Sequence, residues 1–304
     1  MSRILVTGGL GVVGTPLVKE LRKRGNEVWV CDLLHHHDLQ YIRCDISQYR
    51  QLESIFEKYQ FDYVYNLAAE FGRWNGEDFY EKVWASNAVG CKNVLRMQEK
   101  YKFRLIHFSS SEVYGDYDDV MYEKVMETEP IKQMNDYAIS KWVNELQIHN
   151  SELMYGTETV RVRLFNTYGP GEYYSPYRSV ICMFCYRALH NMPYTVYTQH
   201  HRTNTYIDDC IDALANICMN FKAGEVYNIA SSEYYDIKTI SDYVLKAAGK
   251  KDDLVTYKPF ENQTTVDKKV NNMKSIQDLG MKSSIGLEEG IQRTVDWMRE
   301  VYHV

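Results

Sequence analysis

The first half of the chain alternates short apolar runs with helical patterns, the signature of a parallel sheet covered by helices. Ile4–Thr7 reads as the first strand and Pro16–Arg24 as a helix stopped at Gly25. Val28–Cys31 is the second strand, Leu52–Tyr59 a helix and Tyr63–Leu67 the next strand. Trp84–Tyr101 forms a long helix, Leu105–Ser109 a strand, Asp136–Asn150 a helix and Glu158–Leu164 a further strand. The alternation loosens at Tyr168-Gly-Pro-Gly-Glu-Tyr-Tyr-Ser-Pro176, a turn-rich stretch that marks the start of a second lobe. The pattern predicts an α/β fold, a Rossmann-type doubly wound parallel sheet over residues 1–167. A smaller, discontinuous C-terminal lobe is expected over 168–202 and 222–304, with 203–221 rejoining the sheet domain.

Bulk properties narrow the partners. At 304 residues, 25% charged and 45% hydrophobic, the chain has the balance of an ordinary globular protein. A net charge of −6 disfavours a nucleic-acid partner, while leaving room for a basic pocket that holds one diphosphate. No run approaches the ~18 apolar residues of a membrane span. The strand-like Ile4-Leu5-Val6 starts where a signal peptide would lie. Seven scattered cysteines argue against a disulfide framework and for a reducing cytoplasm. Cys182 and Cys185 form a C-x-x-C, but within Ser179–Leu189 they read as the buried side of an apolar helix. His35-His36-His37 reads as a solvated loop, so no metal site is expected.

Two motifs carry chemistry. Thr7-Gly-Gly-Leu-Gly-Val-Val-Gly14 lies between the first strand and the first helix, with Gly8, Gly11 and Gly14 three apart. Glycine lets the backbone approach a pyrophosphate, and the helix N-terminus offers amide donors and a favourable dipole. Asp32, at the end of the second strand, is placed to accept from ribose hydroxyls. A carboxylate there repels a 2′-phosphate, which favours NAD over NADP. The second motif, Tyr137-Ala-Ile-Ser-Lys141, puts a phenol and an ammonium on one helix face. A phenol titrates near pH ~10, and a neighbouring positive charge favours the phenolate an alcohol-activating base requires. Ser109-Ser110-Ser111-Glu112-Val113-Tyr114-Gly115 ends the preceding strand, at the edge of the sheet where ligands bind.

With these residues in view, the chain resembles the extended short-chain dehydrogenase/reductases, the family of nucleotide-sugar epimerases, dehydratases and decarboxylases. The likeness rests on Thr7–Gly14, Asp32, Cys44-Asp45-Ile46, Asn66-Leu67-Ala68-Ala69, Asn87, Ser110–Gly115, Tyr137/Lys141, Arg163–Pro170, Arg202 within Arg202–Asp209, and Leu287–Gly290. It implies NAD as cofactor, held by Gly8, Gly11, Val12, Val13, Gly14, Asp32, Asp45, Ile46, Leu67, Ala68, Ala69, Asn87, Ser109, Tyr137, Lys141 and Leu164. It implies a nucleotide-sugar substrate held by Glu70, Asn166, Arg178, Val180, Arg202 and Lys269. Ser110, Ser111, Glu112, Tyr137 and Lys141 stand at catalytic positions. It also implies a homodimer through Trp84–Tyr101 and Asp136–Asn150, with Trp142 at the contact.

The reaction turns on Glu112. Family epimerases generally lack an acid there, whereas 4,6-dehydratases and uronic-acid decarboxylases carry one. Oxidising C4 of the sugar acidifies the C5 proton, which a carboxylate can abstract before hydroxide leaves C6. Ser111 stands where many dehydratases have an aspartic acid, which leaves Glu112 to serve both steps. The resemblance therefore ranks a 4,6-dehydratase first, a 4-epimerase next and a uronic-acid decarboxylase third. A non-catalytic NAD-binding regulator is the alternative of another class, and the intact Ser110/Tyr137/Lys141 set argues against it.

Overall fold

A computed structural model describes residues 1–262 and 264–304. Seven strands form one parallel sheet: β1 (Arg3–Thr7), β2 (Glu27–Asp32), β3 (Tyr41–Arg43), β4 (Tyr63–Asn66), β5 (Arg104–Ser110), β6 (Thr159–Leu164) and β7 (Val226–Ile229). Their spatial order is β7-β6-β5-β4-β1-β2-β3. The order reverses between β1 and β4, so a crevice opens at the carboxyl ends of those two strands. This is the expected doubly wound α/β fold.

The covering helices are α1 (Gly14–Lys23), α2 (Tyr49–Lys58), α3 (Gly90–Tyr101), α4 (Asp136–Tyr155), α5 (Val180–Leu189), α6 (Ile207–Asn216), α7 (Ile237–Ala248) and α8 (Leu287–Tyr302). Strand alternation assigns them to layers. Ile4 and Val6 of β1 pack in one core with Leu17 and Leu21 of α1 and Ile211 and Leu214 of α6. Leu5, between them in sequence, points the other way, toward Leu52 and Ile55 of α2 and Val94 and Leu95 of α3. The first core continues into α5, α7 and α8 through Phe184, Val244, Ile291 and Met298. The smaller lobe is therefore welded to the sheet by apolar packing.

Three expectations need correction. Val226–Ile229, placed in the smaller lobe, pairs in register with β6 from Val226↔Arg161 to Ile229↔Leu164 and forms an edge of the large sheet. Its four residues are all buried, so apolar content could not tell it from a lobe strand. Strand β3, absent from the predicted elements, has only three residues and no buried one. The expected helix Trp84–Tyr101 begins as a π-helical segment, Trp84–Val89, which continues into α3. Cys182 and Cys185 are buried on α5, and His35–His37 are exposed between β2 and β3. Among the described residues, no helix is long and apolar enough to cross a membrane.

Candidate active site

A cleft of about 1230 Å³ runs along the carboxyl ends of the strands and between the lobes. It is larger than the ~300–1,000 Å³ of an ordinary small-molecule pocket, and its two ends are built differently.

The end over β1 and β2 is made of backbone. Gly8 has φ +66°, and a Cβ there would lie 2.7 Å from the Ala68 amide nitrogen. A Cβ on Gly14 would lie 2.4 Å from the Gly8 carbonyl oxygen. The turn can thus close only with glycine, and the concavity it leaves at the N-terminus of α1 fits a pyrophosphate. Asp32 accepts hydrogen bonds from the backbone N–H of Leu10 at 3.1 Å and of Leu33 at 2.7 Å, which fixes its carboxylate at the rim. Gly11, Val12, Val13, Asp45, Ile46, Leu67, Ala68 and Ala69 line the cleft with them, and Leu164, at the end of β6, lines it further along. These residues and this charge pattern fit NAD.

At the centre stands α4. Asn135 caps it by accepting from the Ala138 N–H at 2.9 Å, so Tyr137 sits in the first turn and Lys141 one turn on. Lys141 is buried and donates to the Phe108 carbonyl at 2.8 Å, with burial lowering its pKa to about 8. Burial pushes Tyr137 up to about 12; its hydrogen bond with Ser110 works against this, and Glu112 adds to the rise. Lys141 Nζ lies 6.0 Å from the Tyr137 ring centroid. Below the site, Glu145 forms a buried ion pair with Arg163 of β6 at 2.7 Å and accepts from Ser109 of β5. The Glu145 carboxylate thus ties α4 to two strands. Arg163 carried part of the family likeness, whereas Glu145 was not singled out by sequence.

The far end is made of charged side chains drawn from distant segments. Glu112, on the 3-10 turn Ser111–Tyr114 after β5, forms an ion pair with Lys268. Burial raises the Glu112 carboxyl, but Lys268 outweighs it, helped by Arg73 and Arg202, and the group is held down at about 2. Arg202 donates to the carbonyls of His201 and Val266 at 2.8 and 2.7 Å, and burial lowers its pKa to about 10. Arg73 pairs with Glu261 at 2.7 Å, and the Glu261 N–H donates to His200 Nε2 at 3.0 Å. Arg178 lays its guanidinium over the Phe71 ring at 4.0 Å, and Val180 opens α5 beside it. Glu70, Ser111, Asn166, Arg178, Val180 and Arg202 all line the cleft. Asn166 stands at φ +23° with its amide donating to the Thr203 carbonyl.

Two expected site residues lie elsewhere. Lys269 is exposed and its carbonyl accepts from the Met121 N–H; the lysine on the cleft wall is Lys268. The reason is strand alternation: Asp267–Lys268 pairs in parallel with His201–Thr203, Lys268 beside Arg202, so position 269 turns outward. Asn87 is buried behind the wall. Its side chain accepts from the Glu70 N–H and donates to the Glu70 carbonyl and to Ser140 Oγ, pinning the Glu70 loop to α4. Arg73, His200 and Glu261 escaped the sequence reading because nothing local marks them.

Residues 4–230 match the model of the "NAD dependent epimerase/dehydratase family". The chain is 28% identical over 325 residues to the UDP-N-acetyl-alpha-D-glucosaminuronate decarboxylase of Bacillus cytotoxicus, covering 99% of this chain and 98% of that protein. It is 26% identical over 338 residues to the dTDP-glucose 4,6-dehydratase of Salmonella typhimurium, covering 97% and 92%. Among solved structures it is similar to the UDP-glucose 4-epimerase of Thermus thermophilus in complex with NAD, with a TM-score of 0.84, 26% identity, and 98% and 99% of the two chains covered. These likenesses and the glycine-closed cradle agree: the chain belongs to the NAD-dependent epimerase/dehydratase family and is an NAD-dependent enzyme.

Proposed function

We propose that this enzyme is a nucleotide-sugar 4,6-dehydratase working through a transient 4-keto sugar. NAD, when bound, supplies the capacity to take a hydride from the sugar and give one back. The chain's own residues do the rest. Tyr137 takes the proton of the C4 hydroxyl while Ser110 holds that oxygen. A phenol near 12 is a poor base at neutral pH, so the Lys141 ammonium and the positive charge of the bound nicotinamide have to bring it down. Gly8–Gly14 and Asp32 seat the cofactor, while Asn166, Arg178 and Arg202 hold the nucleotide-sugar.

The observation that carries this reading is Glu112, an ionised carboxylate on the cleft wall two residues from Ser110. Moving a proton and a hydride at C4 alone has no use for it, whereas removing the C5 proton does. A second reading has its own support. Lys268, Arg202 and Arg73 outnumber Glu112 and Glu261 at this end, which suits the carboxylate of a nucleotide-uronic acid and hence decarboxylation.

Products from a panel of nucleotide sugars separate the readings by mass: loss of water for dehydration, loss of carbon dioxide for decarboxylation, no change for epimerisation. With the true substrate, wild type should carry solvent deuterium into C5 and Glu112→Gln should not. Ordinary turnover by Glu112→Gln would sink the dehydratase reading and favour the epimerase. The buried thiols suit a reducing cytoplasm. We also infer a homodimer through α4. Ile139, Leu146 and Leu153 recur every seventh residue on its outer face, at 37%, 50% and 72% exposure, with Val89 of the neighbouring π-helical segment at 50%. Trp142 is half-buried and packs inward against the core around Val113 and Tyr114. A monomer by light scattering at micromolar concentration would exclude this dimer.

A further inference from the structure

Dehydration needs two proton transfers at the sugar end, one from C5 and one to the departing oxygen. Ser111 offers no ionisable acid for the second, and a Glu112 that keeps the C5 proton in order to return it to C5 has none to give the departing oxygen. A different donor is needed, and the cleft wall offers one. Lys268 is 1% exposed, lines the cleft and is ion-paired with Glu112. Of the two other cations that act on Glu112, Arg73 is taken up by Glu261, and Arg202 by the His201 and Val266 carbonyls.

We propose that Lys268 is the acid of the elimination step, giving its proton to the oxygen leaving C6 while Glu112 takes the proton from C5. This rests on the dehydratase reading. On the 4-keto sugar the C5–H bond breaks and its proton passes to a Glu112 carboxylate oxygen. The electron pair forms the C5=C6 double bond as the C6–O bond breaks. The departing oxygen takes a proton from Lys268 Nζ and leaves as water, and the neutral amine is reprotonated from solvent. Glu112 would return its proton to C5 as the hydride that NAD supplies when bound goes back to C6, which saturates the C5–C6 bond. Before the step the pair is carboxylate and ammonium; after it, carboxylic acid and amine. The buried pair thus exchanges its two charges for none, and no isolated charge is stranded in the cleft.

The groups facing Lys268 favour release. Burial lowers its pKa; Glu112 opposes this, and Arg202 and Arg73 reinforce it. Lysine at this position matters because an arginine keeps the charge but cannot give up its proton near neutrality. That separates a proton donor from a mere phosphate clamp or a prop for Glu112.

The test is Lys268→Arg, with Lys268→Gln as a second variant should the larger side chain disturb folding. Both are checked for NAD binding and nucleotide-sugar binding before activity is read. With a sugar that wild type dehydrates, Lys268→Arg should bind normally and incorporate solvent deuterium at C5 of recovered substrate. It should release dehydrated product slower by on the order of 10²-fold. Dehydration within a few-fold of wild type would show that charge alone suffices and overturn the proposal. Loss of both deuterium entry and product would make Lys268 a positioning residue for Glu112, and would also overturn it. Wild type that removes no water from any sugar defeats the dehydratase reading itself, before any variant is made.

Discussion

The two ends of the cleft solve the problem of holding a charged ligand in opposite ways. The end over β1 and β2 uses backbone: Gly8 and Gly14 admit the close approach, the N-terminus of α1 provides the dipole, and the Asp32 carboxylate is fixed at the rim. The far end uses side chains, Arg73, Glu112, Arg202, Glu261 and Lys268, each paired with another part of the protein. A backbone site is rigid and blind to all but shape and polarity, which suits a cofactor that every turnover reuses. A side-chain site can vary one residue at a time, which suits a family whose relatives remove water, remove carbon dioxide or invert a hydroxyl. The difference teaches where identity is written: the cofactor in the turn, the reaction in the pairing of charges.

The largest effect should come from the residue between the two ends. Tyr137→Phe removes the hydroxyl proposed as the base and leaves the ring packing, so turnover should fall by roughly 10²–10⁴-fold. Binding of both ligands, measured by calorimetry, should survive. Near-normal turnover would move the base off α4 and undo the division between the ends.

Next is the anchor beneath both. Arg163→Met leaves Glu145 charged and buried without its partner, and breaking a buried pair in this way costs about 3–5 kcal/mol. Denaturant unfolding should show that loss, and Glu145→Gln in the same chain should restore part of it. An unchanged midpoint would mean that the pair does not set the position of α4.

Legibility in the sequence followed the same division. Gly8, Gly11, Gly14 and Asp32 are close together in the chain, and a glycine turn between strand and helix has one physical reading. Tyr137 and Lys141 are four apart on one helix, so they too were visible. Sequence pattern points to Lys269, whereas the cleft wall carries its neighbour Lys268, because the register of Asp267–Lys268 against His201–Thr203 is a tertiary fact. Arg73 and Glu261 meet across 188 positions, and no local pattern announces such a pair. Strand β3 was missed for a related reason: two half-buried residues and an exposed one leave no hydrophobic signature, and neighbouring β2 alone makes them a strand. Asn87 shows the converse, since its local context matched but its side chain serves the Glu70 loop.

The backbone end can be broken more gently. Gly8→Ala places a Cβ on a residue at φ +66° and against Ala68, and the left-handed conformation alone costs a non-glycine residue roughly 1–2 kcal/mol. NAD affinity should fall about tenfold or more, since 1.4 kcal/mol is a factor of ten, while nucleotide-sugar affinity changes little. A variant that loses both equally would show that the two ends are not independent. Asp32→Ala sharpens the point: preference for NAD over NADP should shrink while NAD itself still binds.

The smallest effect lies in the pH response of Lys141, and it sets stability against activity. Burial lowers this lysine to about 8, below the ~10.4 of a free side chain. Below pH 8 both folded and unfolded chains carry the proton, so the full cost of burying an ammonium is felt. Between pH 8 and the unfolded value the unfolded chain binds a proton that the native chain has lost. Stability from this group therefore rises with pH across that window, by about 1 kcal/mol at pH 9. This is the reverse of a lysine that gains a carboxylate partner on folding. The same deprotonation removes the positive charge that the proposed mechanism uses to bring Tyr137 down, so turnover should decline above pH 8 while the contribution of Lys141 to stability grows. Comparing cofactor-free wild type with Lys141→Met by denaturant unfolding at pH 7, 8 and 9 isolates the term. The difference between them should drift steadily in favour of wild type as pH rises. A drift in the opposite sense, or none, would mean that Lys141 keeps its proton through the working range and that burial is not what tunes the centre of the site.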